Sequence, residues 1–154
     1  MPKIYVMCGI PGSGKSYEAK RIAAENDAVI ISSDDIREEI YGDASIQGKP
    51  CKVFNRFYKY ARREFDAGRN IVLDATNIKR KERKKVFRTF GEETDKIYAV
   101  VMDTPLEVCL ERNRKRDRHV PEDVIYMMHR LFKWPHYEDG FKDIIMVKYE
   151  EKER

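Results

Sequence analysis

Short apolar runs of strand length alternate along the chain with longer stretches whose apolar side chains recur at helical spacing. Ile4–Cys8 is a β-rich run closed by Gly and Pro punctuation, and a stretch from about Lys15 to Asn26 reads as a helix. Val29–Ser32 is the second strand. Asp34 to about Tyr41 reads as a short helix whose acidic first turn suits the positive end of the helix dipole. Asp43–Pro50 has no periodic pattern and reads as a loop, and Lys52–Ala67 is a long helix with Gly68 at its C′ position. Asn70–Asp74, Lys96–Asp103 and Ile144–Val147 complete five β runs. Lys79–Phe90, Leu106–Lys115 and Pro121–Phe132 supply further helices, the last with Pro in its first turn. Five β runs separated by helices predict a parallel sheet with helices on both faces. No repeat, low-complexity segment or linker interrupts this order, so residues 1–154 are read as a single α/β domain.

Composition narrows the function classes. A chain of 154 residues with 42% hydrophobic content, 8 Gly and 6 Pro can build a real core and is neither disordered nor collagen-like. No apolar run approaches the roughly 18 residues of a membrane span, and the N-terminus lacks the order of a signal peptide, so a soluble, cytoplasmic protein with no membrane partner is expected. Cys8, Cys51 and Cys109 are far apart and show no metal-ligand spacing. The net charge of +4 hides a strong asymmetry: residues 52–63, 79–88 and 112–118 together carry +15, leaving −11 on the remainder. Such local asymmetry suggests a polyanionic ligand, although any one charge run can also be a solvated helix face.

The sharpest motif is Gly9-Ile10-Pro11-Gly12-Ser13-Gly14-Lys15-Ser16, a full GxxxxGK[ST] match set between a predicted strand and a predicted helix. Glycines allow backbone N–H groups to curl around phosphate oxygens, and the helix N-terminus directs its dipole at them. Lys15 would neutralise the β- and γ-phosphates of ATP, and Ser16 would ligate Mg²⁺. Gly12, Ser13, Gly14 and Tyr17 belong to the same nucleotide site. The guanine-selecting NKxD tetrapeptide is absent, which disfavours a regulatory GTPase.

Discrimination among ATP users rests on the other strand ends, where ligands bind in open α/β sheets. Asp34, just past the second strand, could accept the proton of an attacking hydroxyl, an effect worth about 10²–10⁴-fold in rate. Arg37, three residues on, could hold an anionic group of the acceptor; the plain alternative is an Asp N-cap beside an exposed arginine. Asp74, ending the third strand, could hold Mg²⁺ through water, with Thr76 and Asn77 offering polar groups at the cleft, or this could be an ordinary polar turn. In Arg112-Asn113-Arg114-Lys115-Arg116-Asp117-Arg118, arginines on a closing segment can stabilise the charge of a migrating phosphoryl group. Arg112 and Arg116 form one helically spaced pair and Arg114 and Arg118 another, and spacing does not rank them.

The ordered set GIPGSGKS, SSDDIR, DATN and RNRKRDRHVPEDV over residues 9–124 resembles the 5′-hydroxyl polynucleotide kinase branch of the P-loop phosphotransferases. The resemblance implies a P-loop kinase fold with a five-stranded parallel sheet of order 2-3-1-4-5 and a short Arg-rich lid. It implies Asp34 as general base, Arg37 with Thr76 on the acceptor's 3′-phosphate, Arg116 on the donor phosphates with Arg112 in support, and Val120 against the terminal base. The segment Tyr41–Lys52 departs from the family's pattern, and the family's phage end-healing enzyme has an added phosphatase domain. A ligase or phosphatase would then act in trans.

The expectation is an ATP- and Mg²⁺-dependent kinase that phosphorylates 5′-OH ends of RNA or DNA. A small-molecule kinase acting on a nucleoside, sugar or antibiotic would use the same donor residues. A non-catalytic ATP-dependent nucleic-acid-binding module is the rival from another class, and Asp34 and the arginine-rich segment count against it. In the long basic helix, Phe54, Tyr58, Ala61 and Phe65 recur at core spacing, while Arg56, Lys59 and Arg63 on another face are candidates for phosphate contact. In Lys79–Arg88, Val86, Phe87 and Ile78 are expected to pack inward and the lysines to face outward. Trp134 is expected to plug the core or a helix end in a packed turn, and Glu150–Arg154 to fray.

Overall fold

β1 (Ile4–Cys8) is buried at all five residues and forms the middle of the sheet, because an apolar run flanked by helices on both sides has no polar face to offer solvent. The chain continues through α1 (Lys15–Asn26), β2 (Ala28–Ser32), α2 (Ser33–Tyr41), α3 (Pro50–Asp66), β3 (Asn70–Asp74), α4 (Arg80–Phe90), β4 (Ile97–Asp103), α5 (Leu106–Lys115), α6 (Glu122–Leu131) and β5 (Asp143–Lys148). These elements come from a computed structural model, which describes residues 1–117 and 119–150. The five strands are all parallel in the order β2-β3-β1-β4-β5, as the resemblance implied. Arg118 and the tail residues 151–154 lie outside the described residues, so the expectations placed on them are not addressed.

Strand alternation divides the core. Ile4, Val6 and Cys8 face α2, α3 and α4, while Tyr5 and Met7 face Ala19 and Ile22 of α1. A third cluster, of Ile10, Ile78, Cys109, Leu110 and Ile125, seats α5 and α6 beside the glycine-rich loop. Helix ends follow their local chemistry. α3 starts two residues earlier than expected, with Pro50 in its first turn, and ends in a Schellman motif: Gly68 (φ +83°) donates to the Phe65 carbonyl and Arg69 to that of Glu64. No helix among the described residues is long and apolar enough to cross a membrane.

The structure refines three packing expectations. The buried stripe of α3 is Val53, Phe57, Ala61 and Phe65, so Ala61 and Phe65 are in the core as read from the sequence and Val53 and Phe57 take the places expected for Phe54 and Tyr58. Phe54 and Tyr58 are only half-buried, because the smaller Val53 and the ring of Phe57 point most directly at the sheet. Val86 and Phe90 of α4 and Ile78 just before it pack inward with Phe87 at the margin, and so does Arg83, which is 1% exposed and donates to the Asn77 carbonyl at 2.9 Å. Trp134 is 44% exposed and rests edge-on against Phe132 at the end of α6, with ring centroids 5.3 Å apart, so of the two expected placements it takes the helix end and not the core.

Candidate active site

The C-terminal ends of β1, β2 and β3 and the approach to α6 open on one cavity of about 360 Å³. Its floor is the loop Gly9–Ser16. Gly12 and Gly14 take φ values of +84° and +90°, where any other residue is strained, and a Cβ at Gly12 would also overlap the Cys109 carbonyl oxygen. The loop is pinned from three sides: Gly9 N–H donates to the Thr76 carbonyl at 2.9 Å, the Thr104 hydroxyl to the Ser13 carbonyl at 2.8 Å, and Arg112 to the Gly12 carbonyl at 3.2 Å. Ser13 Oγ is buried with no hydrogen-bond partner. A buried hydroxyl left free inside a loop of left-handed glycines fits a polyanionic ligand better than an ordinary turn.

Lys15 and Asp74 form an ion pair of 2.5 Å with both side chains largely buried, and the Ser16 hydroxyl lies 3.3 Å from the other Asp74 oxygen. The register places these groups together, since β3 runs alongside β1 and ends at Asp74 where β1 hands over to the loop. A hydroxyl and a carboxylate oxygen side by side suit a hard divalent cation, so Ser16 and Asp74 fit the proposed Mg²⁺ position. Thr76 lines the cavity. Asn77 does not: its left-handed backbone (φ +45°) buries the amide, which donates to the Met7 carbonyl at 2.8 Å and clips β3's exit to β1.

Asp34 and Arg37 enter from α2. Ser32, not Asp34, caps this helix, accepting from the Asp35 N–H at 3.3 Å, so the Asp34 carboxylate is free of capping duty. Its side chain is 50% exposed into the cavity mouth and accepts from Arg37 Nη1 at 2.8 Å. Arg37 is the more buried partner, and its Nε is buried without a hydrogen-bond partner. The alternative of a capping Asp beside an exposed arginine is thereby set aside.

The lid region ranks the arginines that spacing left level. Arg112 and Arg116 line the cavity, whereas Arg114 turns outward to Glu122 at 2.6 Å. Arg116 ends α5 in extended conformation (φ −83°, ψ 148°), so the loop and not a shared helical face brings it to the site. Val120 lines the cavity as expected, beside Val124 and Met128 of α6, and Tyr17, 78% exposed, stands at the rim. Three residues that the sequence reading did not place at the site line or support it. Gln47 lines the cavity from the α2–α3 connection, which lacked any motif, and Phe54 from the first turns of α3. Asn113, 2% exposed, grips Val120 at both backbone groups (2.7 and 2.9 Å), while its own carbonyl meets His119 Nδ1 at 2.7 Å.

A phosphate loop at the C-terminal edge of a 2-3-1-4-5 parallel sheet, faced by an arginine lid, defines a P-loop domain of the kinase type. The profile of the family AAA_33, an AAA domain, matches residues 4–135, and the chain belongs to that family. A protein of Acanthamoeba polyphaga mimivirus described as a bifunctional polynucleotide phosphatase/kinase is 28% identical over 155 residues, covering 96% of this chain and 33% of the relative. A chain of the Pnkp1/Rnl/Hen1 RNA repair complex superposes with a TM-score of 0.68 at 27% identity, over 84% of this chain and 43% of that one. A gluconokinase from Sinorhizobium meliloti shares the fold, with a TM-score of 0.67 at 18% identity over 98% of this chain and 85% of its own. The chain thus spans a third of the mimivirus relative and less than half of the repair-complex chain.

Proposed function

We propose that the chain transfers the γ-phosphoryl group of ATP to the 5′-OH end of RNA or DNA. The observation that carries the reading is the Asp34–Arg37 pair, held at 2.8 Å in the mouth of the same cavity whose floor is the phosphate loop and whose roof holds Arg112 and Arg116. Likeness to polynucleotide phosphatase/kinase and RNA-repair proteins supports the nucleic-acid acceptor.

ATP with Mg²⁺ supplies an activated phosphoryl group and a countercharge for the phosphates. The loop N–H groups and Lys15 would hold the donor, and Ser16 and Asp74 would hold the metal ion. Asp34 takes the proton of the attacking hydroxyl. Arg37 keeps the carboxylate oriented and, with Thr76, holds the acceptor's 3′-phosphate. Arg116, aided by Arg112, stabilises charge on the group in transit. Val120 lies against the terminal base. In the cell a ligase or a phosphatase acting in trans would use or prepare the ends, in a cytoplasmic nucleic-acid repair setting.

The test is incubation of labelled ATP with 5′-OH oligonucleotides, nucleosides and sugars, gluconate among them. Label on the oligonucleotides supports the reading. Label only on a sugar or nucleoside would assign the small-molecule alternative, which shares every donor residue.

A further inference from the structure

The basic windows 52–63 and 79–88 are distant in the chain but share one face of the molecule. α3 and α4 lie side by side: Arg62 donates to the Thr89 carbonyl at 2.6 Å, Phe65 packs on Phe90 with centroids 4.9 Å apart, and the Lys85 ammonium sits 4.6 Å over the Tyr58 ring. Not every cation remains for a ligand. Arg62 is held by Asp66 and Glu93 at 3.1 and 2.8 Å, and Arg83 is buried. What remains forms two stripes. Lys52, Arg56, Lys59 and Arg63 recur at i, i+4, i+7 and i+11, on the side of α3 opposite its buried residues. On α4, the exposed Lys81, Lys84 and Arg88 recur at i, i+3 and i+7, opposite Val86 and Phe90.

These charges are poorly neutralised. Arg56 reaches Glu39 only at 3.7 Å, and Arg63 reaches Glu64 at 3.6 Å while Glu64 is engaged by Arg69 at 2.6 Å. Lys59, Lys81, Lys84 and Arg88 have no ion-pair partner among the described residues. Lys52, Arg56 and Lys59 line a shallow concavity with Asn55, Tyr60 and Glu39. The same two helices border both hollows: α2 supplies Arg37 and α3 Phe54 to the cavity, and α2 supplies Glu39 and α3 Asn55 to the concavity.

We propose that this α3–α4 face is a docking track for the sugar-phosphate backbone of the acceptor strand, holding phosphates on the 3′ side of the end that enters the cavity. The proposal rests on the reading of the acceptor as nucleic acid and gives it a second, non-catalytic footprint. A bilayer is the poorer occupant, because none of the exposed large apolar side chains lies on α3 or α4, and a cationic helix without them has no anchor in the interface. A phosphodiester strand needs only cations at intervals and polar or aromatic groups between them, which Asn55 and Tyr60 supply.

The test compares the wild type with the neutralised variant Lys59→Gln/Arg63→Gln/Lys84→Gln/Arg88→Gln, whose four sites are on the surface. Anisotropy measures binding of a fluorescent, 5′-phosphorylated strand of about twenty nucleotides from about 50 to 200 mM salt. That strand offers no acceptor hydroxyl at its 5′ end, so binding is read apart from catalysis. The variant is expected to bind at least about tenfold more weakly, with the log–log salt slope reduced by about 2 to 3. Its KM for the matching 5′-OH strand should rise, with kcat and the KM for a nucleoside 3′-monophosphate unchanged. Equal affinity and slope in the two proteins would overturn the track, as would wild-type binding to phosphatidylserine vesicles but not to the strand. Variant-sensitive strand binding without transfer to any 5′-OH end would support the track and sink the acceptor reading instead.

Discussion

Asp34 has three features of a general base: release from helix capping, access to the cavity, and an arginine that fixes one oxygen while leaving the other available. Asp34→Ala should lower kcat by about 10²–10⁴-fold with ATP affinity nearly unchanged, read by phosphate transfer and nucleotide titration side by side. Undiminished transfer would remove Asp34 from the chemistry. The cysteines allow an independent check on burial. Burial pushes the Cys8 thiol up to about 12 and the Cys109 thiol up to about 11, while Cys51 is exposed. A thiol reagent at pH 8 should therefore label one cysteine in the native protein and three after denaturation. Above pH 9 the unfolded chain loses thiol protons that the folded chain keeps, so stability falls as pH rises from 9 towards 11. Cys8 alone accounts for up to about 1.4 kcal/mol per pH unit in that window, and the decline should be shallower in Cys8→Ala.

At the scale of elements, the site depends on two short connections that place side chains by backbone geometry. In the phosphate loop, Gly12→Ala meets both a left-handed φ of +84° and the Cys109 carbonyl, so the loop must shift. ATP affinity should fall at least about tenfold, read by nucleotide titration against the wild type. The lid is closed into a ring by Asn113, whose amide spans Val120 while its carbonyl also receives the Arg116 N–H at 3.3 Å. The Asn113 side chain thus positions Val120, while its backbone carbonyl holds the Arg116 N–H. Asn113→Asp retains the bond from Val120 N–H and loses the one to its carbonyl, so it should reduce kcat less than Asn113→Ala, for which a loss of about tenfold is expected. Identical kinetics in both variants and the wild type would show that the ring is merely structural. The sequence held a signal for this residue only in retrospect: an asparagine at the last buried position of a helix otherwise ending in arginines.

For the whole molecule, the fold was readable because each strand is a short apolar run and each crossover a separate periodic stretch, signals that survive without tertiary information. β1, α1, β3 and α5 fall where the pattern put them, and the remaining boundaries shift by one or two residues. The donor site was readable for the same reason, as one contiguous motif carries it. What escaped depends on juxtaposition. The inward turn of Arg83, the places of Val53 and Phe57 in the α3 stripe and the arrival of Gln47 and Phe54 at the cavity are set by packing between elements. The joining of two basic windows on one face likewise required knowing that α3 and α4 are neighbours. The central claim is that these parts serve transfer to a 5′-OH nucleic-acid end, and the position of the transferred phosphate tests it most directly. After incubation with γ-labelled ATP and a 5′-OH oligonucleotide, digestion of the strand to 5′-mononucleotides should release all of the label as the nucleotide from the original 5′ terminus. An oligonucleotide that stays unlabelled while a nucleoside or sugar in the same mixture becomes phosphorylated would contradict it.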